Sequence, residues 1–365
     1  MSESIEFIFR QFIADAEVIG CEQITHGHIN ASWKVTTKGH EANTWMLQGI
    51  NHRIFKNISG LMKNIDLVTR HLAQNAGEGK SDQNRLQLFR TIDGALYFED
   101  QAGKPWRLFN FIENSRVYDI VGDSSLAYEG GSAFGRFVRS LEGLDPSALC
   151  STIPRFHDFY LRRDQYVEAL AGAETARKTK AAEEIRYAES RFPFMDRFFS
   201  KIAEGAFPVR ITHNDTKFNN ILFSPDGKAI CIIDLDTVMP GTILFDFGDA
   251  IRTATNTAAE DEPDLSKVGF DLRLFSAYTR GYLQECAGVL SHEEIMHLPE
   301  ATRYMTLLIG IRFLTDFLAG DVYYNTSREG QNLDRARVQF AMDRCLEQNT
   351  AEMRNIAAKF ATTKE

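Results

Sequence analysis

Apolar positions at Ile5, Phe7, Ile8, Phe12 and Ile13 recur at roughly helical spacing and predict a helix over residues 5–17. Gly27-His28-Ile29-Asn30 then marks a turn into a β-rich run at 31–37. Residues 43–50, 85–92 and 106–112 read as further strands, with Trp45 and Leu47 on one face of the first. Between 43–50 and 85–92, Leu61, Ile65, Val68 and Leu72 form a single apolar stripe, which predicts a helix over 58–72. Asp93-Gly94 is a hairpin signal, and the apolar strand 106–112 runs straight into polar Glu113-Asn114-Ser115, the expected hinge.

After the hinge the pattern changes to long helical periods at 126–142, 158–190, 194–204, 271–289, 293–319 and 333–359. One β-hairpin is set among them, residues 221–223 and 229–235, joined by Ser224-Pro225-Asp226-Gly227-Lys228. The expected fold class is α+β, two-lobed, with a β-rich lobe over 1–112 and a mainly helical lobe over 113–365. Such an arrangement places a ligand in the cleft between lobes. The charged run 174–189 reads as a solvated helix face.

Composition narrows the classes of function. The chain has 365 residues, 44% hydrophobic and 25% charged, in the ordinary globular range and long enough for two cores. Its 41 basic and 50 acidic residues leave a net charge of −9, which excludes the electrostatic footprint of a nucleic-acid partner. No basic leader precedes an apolar run at the amino terminus, and the apolar stretch 305–320 is interrupted by Arg312 and Asp316. The expectation is a cytoplasmic chain with no membrane partner. Five scattered cysteines have no paired spacing, and His292 and His297, five apart, fall on different helix faces, so no zinc site is expected.

Polar residues are densest on either side of the hairpin, in Thr212-His213-Asn214-Asp215-Thr216-Lys217-Phe218-Asn219-Asn220 and Asp234-Leu235-Asp236. His213, Asp215 and Asn220 occupy the spacing H-x-D-x-x-x-x-N, the catalytic-loop pattern of kinases. Asp215 is the candidate base for an attacking hydroxyl, and Lys217 the candidate stabiliser of the transferring phosphoryl group. His213 is grouped with them as the residue that orients the loop. Asn220 and Asp234 supply an amide and a carboxylate oxygen, hard ligands suited to Mg²⁺ that keeps substrate phosphates in its shell.

These residues resemble those of the aminoglycoside phosphotransferase and choline kinase superfamily, whose members have a protein-kinase-like fold. The longer strings THNDTKFNNILF and IDLDTVMPGTILFDFGDAIRTATNTAAEDE are similar to one branch, the bacterial N-acetylhexosamine 1-kinases. So are Gly27-His28-Ile29-Asn30, the run LQGINHRIFKN at 47–57, Ile153-Pro154-Arg155-Phe156-His157, and GIRFLTDFLAGDVYY at 310–324. The resemblance implies transfer of phosphate from ATP, with Mg²⁺, to the anomeric hydroxyl of N-acetylglucosamine or N-acetylgalactosamine. It implies a phosphate cover from Gly27 through Asn30 to Ser32, with Gln48, Asn110 and Ile112 as further nucleotide-binding positions. It also implies a sugar pocket with His28, Asp215, Arg312 and Tyr323. The partners expected are ATP and a small sugar.

Gln48 departs from the superfamily, many of whose members carry a basic residue at the end of the third strand; Arg53 or Lys56 just beyond would then supply the charge. Asp236 is expected to stand behind the metal ligands, with a share in the metal as the alternative. Arg312 has two readings, an ion pair with Asp316 four residues on or a contact to the sugar. Asp246-Phe247-Gly248-Asp249 reads as a capping and packing motif. The alternatives carried are a kinase for an aminoglycoside, choline or homoserine, and a nucleotide-binding pseudokinase.

Overall fold

The computed structural model describes residues 3–24, 30–39, 44–75 and 85–361. Gly27 and His28 lie outside the described residues. The chain divides into two compact units: Met1–Arg116 with Ser140–Pro154 and Leu222–Pro240, and Val117–Arg139 with Arg155–Ile221 and Gly241–Glu365.

The first unit is built on one antiparallel sheet. Its strands are β1 (Glu17–Ile24), β2 (Ala31–Lys38), β3 (Thr44–Gly49), β4 (Leu88–Phe89), β5 (Phe98–Glu99) and β6 (Pro105–Asn110). The order is β1-β2-β3-β6-β4, with β5 also on β6. Period-2 alternation sorts its side chains into two faces. On one face Val35, Trp45, Leu47, Trp106 and Leu108 are buried against Ile8 and Phe9 of helix α1 (Ile5–Arg10) and against Phe12 and Ala16. The other face carries a polar cross-strand row, Ser32 opposite Gln48 and Gln48 opposite Arg107. Helix α2 (Ile58–Gln74) buries Leu61, Ile65 and Val68, and Asn57 caps it by accepting from the Gly60 amide at 2.9 Å.

Two strand expectations were incomplete. Strand β1 has a burial pattern that does not alternate, so periodicity did not signal it, and the helix expected over 5–17 stops at Arg10. The strand expected at 85–92 shrinks to β4, because the Asn110 side chain takes the place of a ladder: its Oδ1 accepts from the Gln87 amide at 2.7 Å and its Nδ2 donates to the Arg85 carbonyl at 2.8 Å.

The second unit is mainly helical. It contains α3 (Ser124–Ser140, up to Arg139), α4 (Phe159–Gly172), α5 (Thr175–Lys180), α6 (Ala182–Ala203), α7 (Ile243–Ala254), α8 (Leu272–Cys286), α9 (His292–Met296), α10 (Leu298–Leu318) and α11 (Gln331–Ala361). Helix α10 is apolar around most of its circumference, as a central helix must be, and it packs against α4, α6, α7 and α11. The helix expected over 158–190 breaks after Gly172, where Ala173 and Glu174 are extended. The one expected over 293–319 is divided by His297, with Pro299 in the first turn of α10, where its missing N–H costs no bond. No helix among the described residues is long and apolar enough to cross a membrane. The whole is a mixed α+β fold, an antiparallel sheet in the N-terminal part and helices in the C-terminal part.

Candidate active site

Strand β7 (Arg210–Thr212) delivers the chain into the loop that carries the H-x-D-x-x-x-x-N motif. Asn214 sits at φ 64°, a left-handed conformation that asparagine tolerates, and its Nδ2 donates to Thr212 Oγ1 at 2.8 Å. Asp246, in the first turn of α7, holds the loop from below: its carboxylate accepts the backbone N–H groups of His213 at 2.8 Å and Asn214 at 2.7 Å. Thr216 donates to the Asp246 carbonyl. The His213 ring is buried, edge-on to Phe134 and Phe137 of α3, and its Nδ1 accepts from the Asp215 amide at 3.3 Å. His157 Nε2 meets the Asn214 carbonyl at 3.1 Å; burial lowers its pKa to about 4, so it is a neutral donor.

This loop brings three candidates together. Lys217 Nζ lies 3.3 Å from Asp215 Oδ1, and Asn220 Nδ2 donates to the Asp215 carbonyl at 2.8 Å and to its Oδ2 at 3.2 Å. Burial works against charge on Asp215, but Lys217 and His213, with the amide bond from Asn220, hold its carboxyl below the ordinary range. The same pairing raises Lys217. An ionised carboxylate beside an ammonium group can accept a proton from a hydroxyl while positive charge stands near the incoming group. Since Asn220 spends its amide nitrogen on Asp215, its Oδ1 is the atom available to a cation.

Asp234 belongs to the first unit, after the returning strand of the hairpin formed by β8 (Ile221–Phe223) and β9 (Ala229–Ile232). It too has positive φ, 59°. Two residues on, the buried Asp236 accepts from Arg107 Nη1 through Oδ1 and from Asn30 Nδ2 at 2.6 Å through Oδ2. Arg107 Nε donates to Gln48 Oε1 at 3.0 Å, Gln48 Nε2 donates to Ser32 Oγ at 3.0 Å, and the Asn51 amide donates to Asn30 Oδ1 at 3.0 Å. Asn30, Ser32 and Gln48 therefore belong to one polar network, whereas Arg53 and Lys56 are exposed. Asn110 spends its side chain on residues 85 and 87, and Ile112 is buried.

A cavity of about 350 Å³ opens in the second unit, lined by Arg162 and Ala169 of α4, Arg312 and Thr315 of α10, and Tyr323 and Tyr324. Arg312 does not pair with Asp316. That carboxylate instead accepts the backbone N–H groups of Val322 at 3.0 Å, Tyr323 at 2.7 Å and Tyr324 at 2.9 Å, and so shapes the turn after α10. Arg312 has no acidic partner among the described residues and lies over the rings of Phe156, Tyr323 and Tyr324, with centroids at 5.4, 5.8 and 5.6 Å. Burial and the Arg312 charge together lower Arg162 to about 10. Burial raises the Tyr324 phenol, while the charges of Arg312 and, to a smaller extent, Lys217 oppose the rise.

Helix α7 is capped by Thr242, not by the Asp246 segment; Asp246 instead anchors the loop and Gly248 packs on the Ala301 carbonyl. Sequence reasoning passed over Arg107 and Arg162 and named His157 only within a string. The signal available for Arg107 was a lone guanidinium in an otherwise apolar strand, Trp106-Arg107-Leu108.

A kinase-type loop in a helical unit, following an antiparallel sheet, defines a phosphotransferase architecture. The chain belongs to the phosphotransferase enzyme family, whose model matches residues 20–285. Solved structures show the same fold. An aminoglycoside phosphotransferase from Alicyclobacillus acidocaldarius is 12% identical at a TM-score of 0.64, with 98% of each chain covered. A spectinomycin phosphotransferase in complex with ADP and spectinomycin is 12% identical at 0.58, covering 95% of this chain and 99% of that one. An amicoumacin kinase in complex with AMP-PNP, Ca²⁺ and its substrate is 15% identical at 0.55, covering 98% and 94%.

Proposed function

We propose that this phosphotransferase moves the γ-phosphoryl group of ATP to the anomeric hydroxyl of N-acetylglucosamine or N-acetylgalactosamine, giving the hexosamine 1-phosphate and ADP. The observation that carries the choice of acceptor is the charge of the cavity. Two arginines, Arg162 and Arg312, face it, the carboxylate of Asp316 is committed to backbone amides, and Glu168 at its edge is exposed. Choline and aminoglycosides are cations and would meet two guanidinium charges there, with Glu168 the one lining carboxylate not committed to backbone amides. A neutral, hydroxyl-rich sugar finds guanidinium donors and tyrosine rings instead. The long sequence strings shared with N-acetylhexosamine 1-kinases support the same acceptor.

In this reading Asp215 orients the acceptor hydroxyl and takes its proton, and Lys217 faces the transferring group. His213 keeps the Asp215 backbone in place. Asn220 and Asp234 would hold Mg²⁺, since an amide oxygen and a carboxylate are donors that suit a small hard cation, and when bound the ion would neutralise phosphate charge. Arg312 and Tyr323 contact the sugar, with His28. Asn30, Ser32, Gln48, Asn110 and Ile112 lie along the nucleotide.

The test is ADP release with ATP and a panel of N-acetylhexosamines, choline and an aminoglycoside, with phosphorus NMR of the product. Coupling of the new phosphate to the anomeric proton is the expected result. Turnover confined to choline or the aminoglycoside would overturn the acceptor assignment, and ATP binding without turnover on any acceptor would favour a pseudokinase.

A further inference from the structure

Gln48 stands where many phosphotransferases carry a cation for the nucleotide phosphates, yet the next residue across the sheet in the same row is Arg107. This guanidinium is 1% exposed and uses Nε on Gln48 and Nη1 on Asp236. A guanidinium has five N–H donors, and the others of Arg107 have no hydrogen-bond partner among the described residues. Its counter-ion Asp236 is also shared, since Oδ2 accepts from Asn30, the residue that leads into β2. Unfilled donors on a nearly buried cation call for a further acceptor.

The geometry points to Arg107 as the relocated phosphate cation of this enzyme. It is reached from β6 instead of β3, aimed by Gln48 and held by Asp236 until an anion takes its spare donors. Gln48 thereby becomes a positioning residue: its Oε1 receives Arg107 while its Nε2 is tied to Ser32, an arrangement that a lysine at this position cannot make because it has no acceptor. The inference rests on the nucleotide reading proposed above and not on the identity of the sugar.

The experiment is calorimetric titration of the whole protein with AMP-PNP and with adenosine, both without divalent metal, so that protein cations alone meet the phosphates. Binding of AMP-PNP by the wild type tests the nucleotide reading separately. Arg107→Gln is expected to weaken AMP-PNP roughly tenfold or more while leaving adenosine unchanged, the size of one or two charge-assisted hydrogen bonds. The double variant Gln48→Lys/Arg107→Gln returns a cation to the same row and is expected to recover much of that loss. Equal weakening of AMP-PNP and adenosine by Arg107→Gln, or no weakening of either, overturns the inference. Should the Arg107 variants fail to fold, Gln48→Met, which keeps the length of the side chain but removes the acceptor that aims Arg107, decides: AMP-PNP weakened severalfold with adenosine unchanged supports the inference, and an equal effect on both or on neither overturns it.

Discussion

Asp246 accepts the backbone N–H of His213 at 2.8 Å, and its carboxyl group is buried. Burial pushes Asp246 up to about 7; the two amide bonds from His213 and Asn214 oppose the rise, and the nearby Asp249 and Asp215 add to it. The native state thus binds a proton that the unfolded chain releases in the ordinary carboxylate range.

A stability profile follows with a definite sign. Between the ordinary aspartate range and about pH 7 Asp246 holds more protons in the native state than in the unfolded one, so its contribution to stability falls as pH rises through that window, while buried His157, lowered to about 4, contributes with the opposite sign below the ordinary histidine range. The slope from this one group is at most about 1.4 kcal/mol per pH unit. Asp246→Asn, which cannot titrate, is expected to remove that contribution, so that stability falls less steeply, or rises more steeply, with pH in the variant than in the wild type. Urea unfolding from about pH 5 to pH 8 reads both slopes, and identical slopes would remove Asp246 as the titrating group.

Arg312 should separate acceptor binding from nucleotide binding. Its guanidinium lies over three aromatic rings with no acidic partner among the described residues, so its loss deprives an acceptor of donors without stranding a buried carboxylate. Arg312→Ala is expected to raise the KM for N-acetylhexosamine roughly tenfold or more and leave the KM for ATP near its original value. An unchanged sugar KM in a coupled ADP assay would take Arg312 out of the site.

Helix α3 approaches α8 without side chains between them at Gly131, where a Cβ would collide with the Tyr278 carbonyl. Gly281 of α8 meets the Tyr128 carbonyl of α3 in the same way. Because the obstacle is backbone, no rotamer change can relieve it, and α3 also carries Phe134 and Phe137 against His213. Gly131→Ala is therefore expected to destabilise the protein by about 1–3 kcal/mol. A chemical denaturation midpoint equal to that of the wild type would show that α3 can shift without cost.

The elements legible in the sequence were those with a strong period or turn chemistry: α2 from its Leu61, Ile65, Val68 stripe, and the hairpin from Pro225 and Gly227. Strand β1 was not legible, because an edge strand with mostly exposed side chains has no alternating burial to record. Residues 174–189 looked like a solvated face, but Glu184 is buried and pairs with Arg337 at 2.9 Å, a contact made 153 positions away. The catalytic-type loop could be read because its chemistry is packed into one short segment. Arg107, Arg162 and Asp246 reach their partners across strands or between helices, and one sequence has no local signal for such pairings.

Asp215 is the residue on which the proposed chemistry turns. Lys217 and His213 keep its carboxyl below the ordinary range against the opposing effect of burial, so it is ionised throughout the neutral range and ready to accept a proton. Asp215→Asn retains the size of the side chain and one acceptor oxygen but removes the base. Turnover is expected to fall roughly a hundredfold to ten-thousandfold, with AMP-PNP affinity little changed. The companion variant Lys217→Met removes the cation that depresses Asp215, and the acid limb of its kcat profile is expected to move to higher pH as the carboxyl returns toward its ordinary value. Near-normal turnover in Asp215→Asn would sink the role of Asp215 as base. An acid limb that stays in place in Lys217→Met would show that the limb belongs to another group.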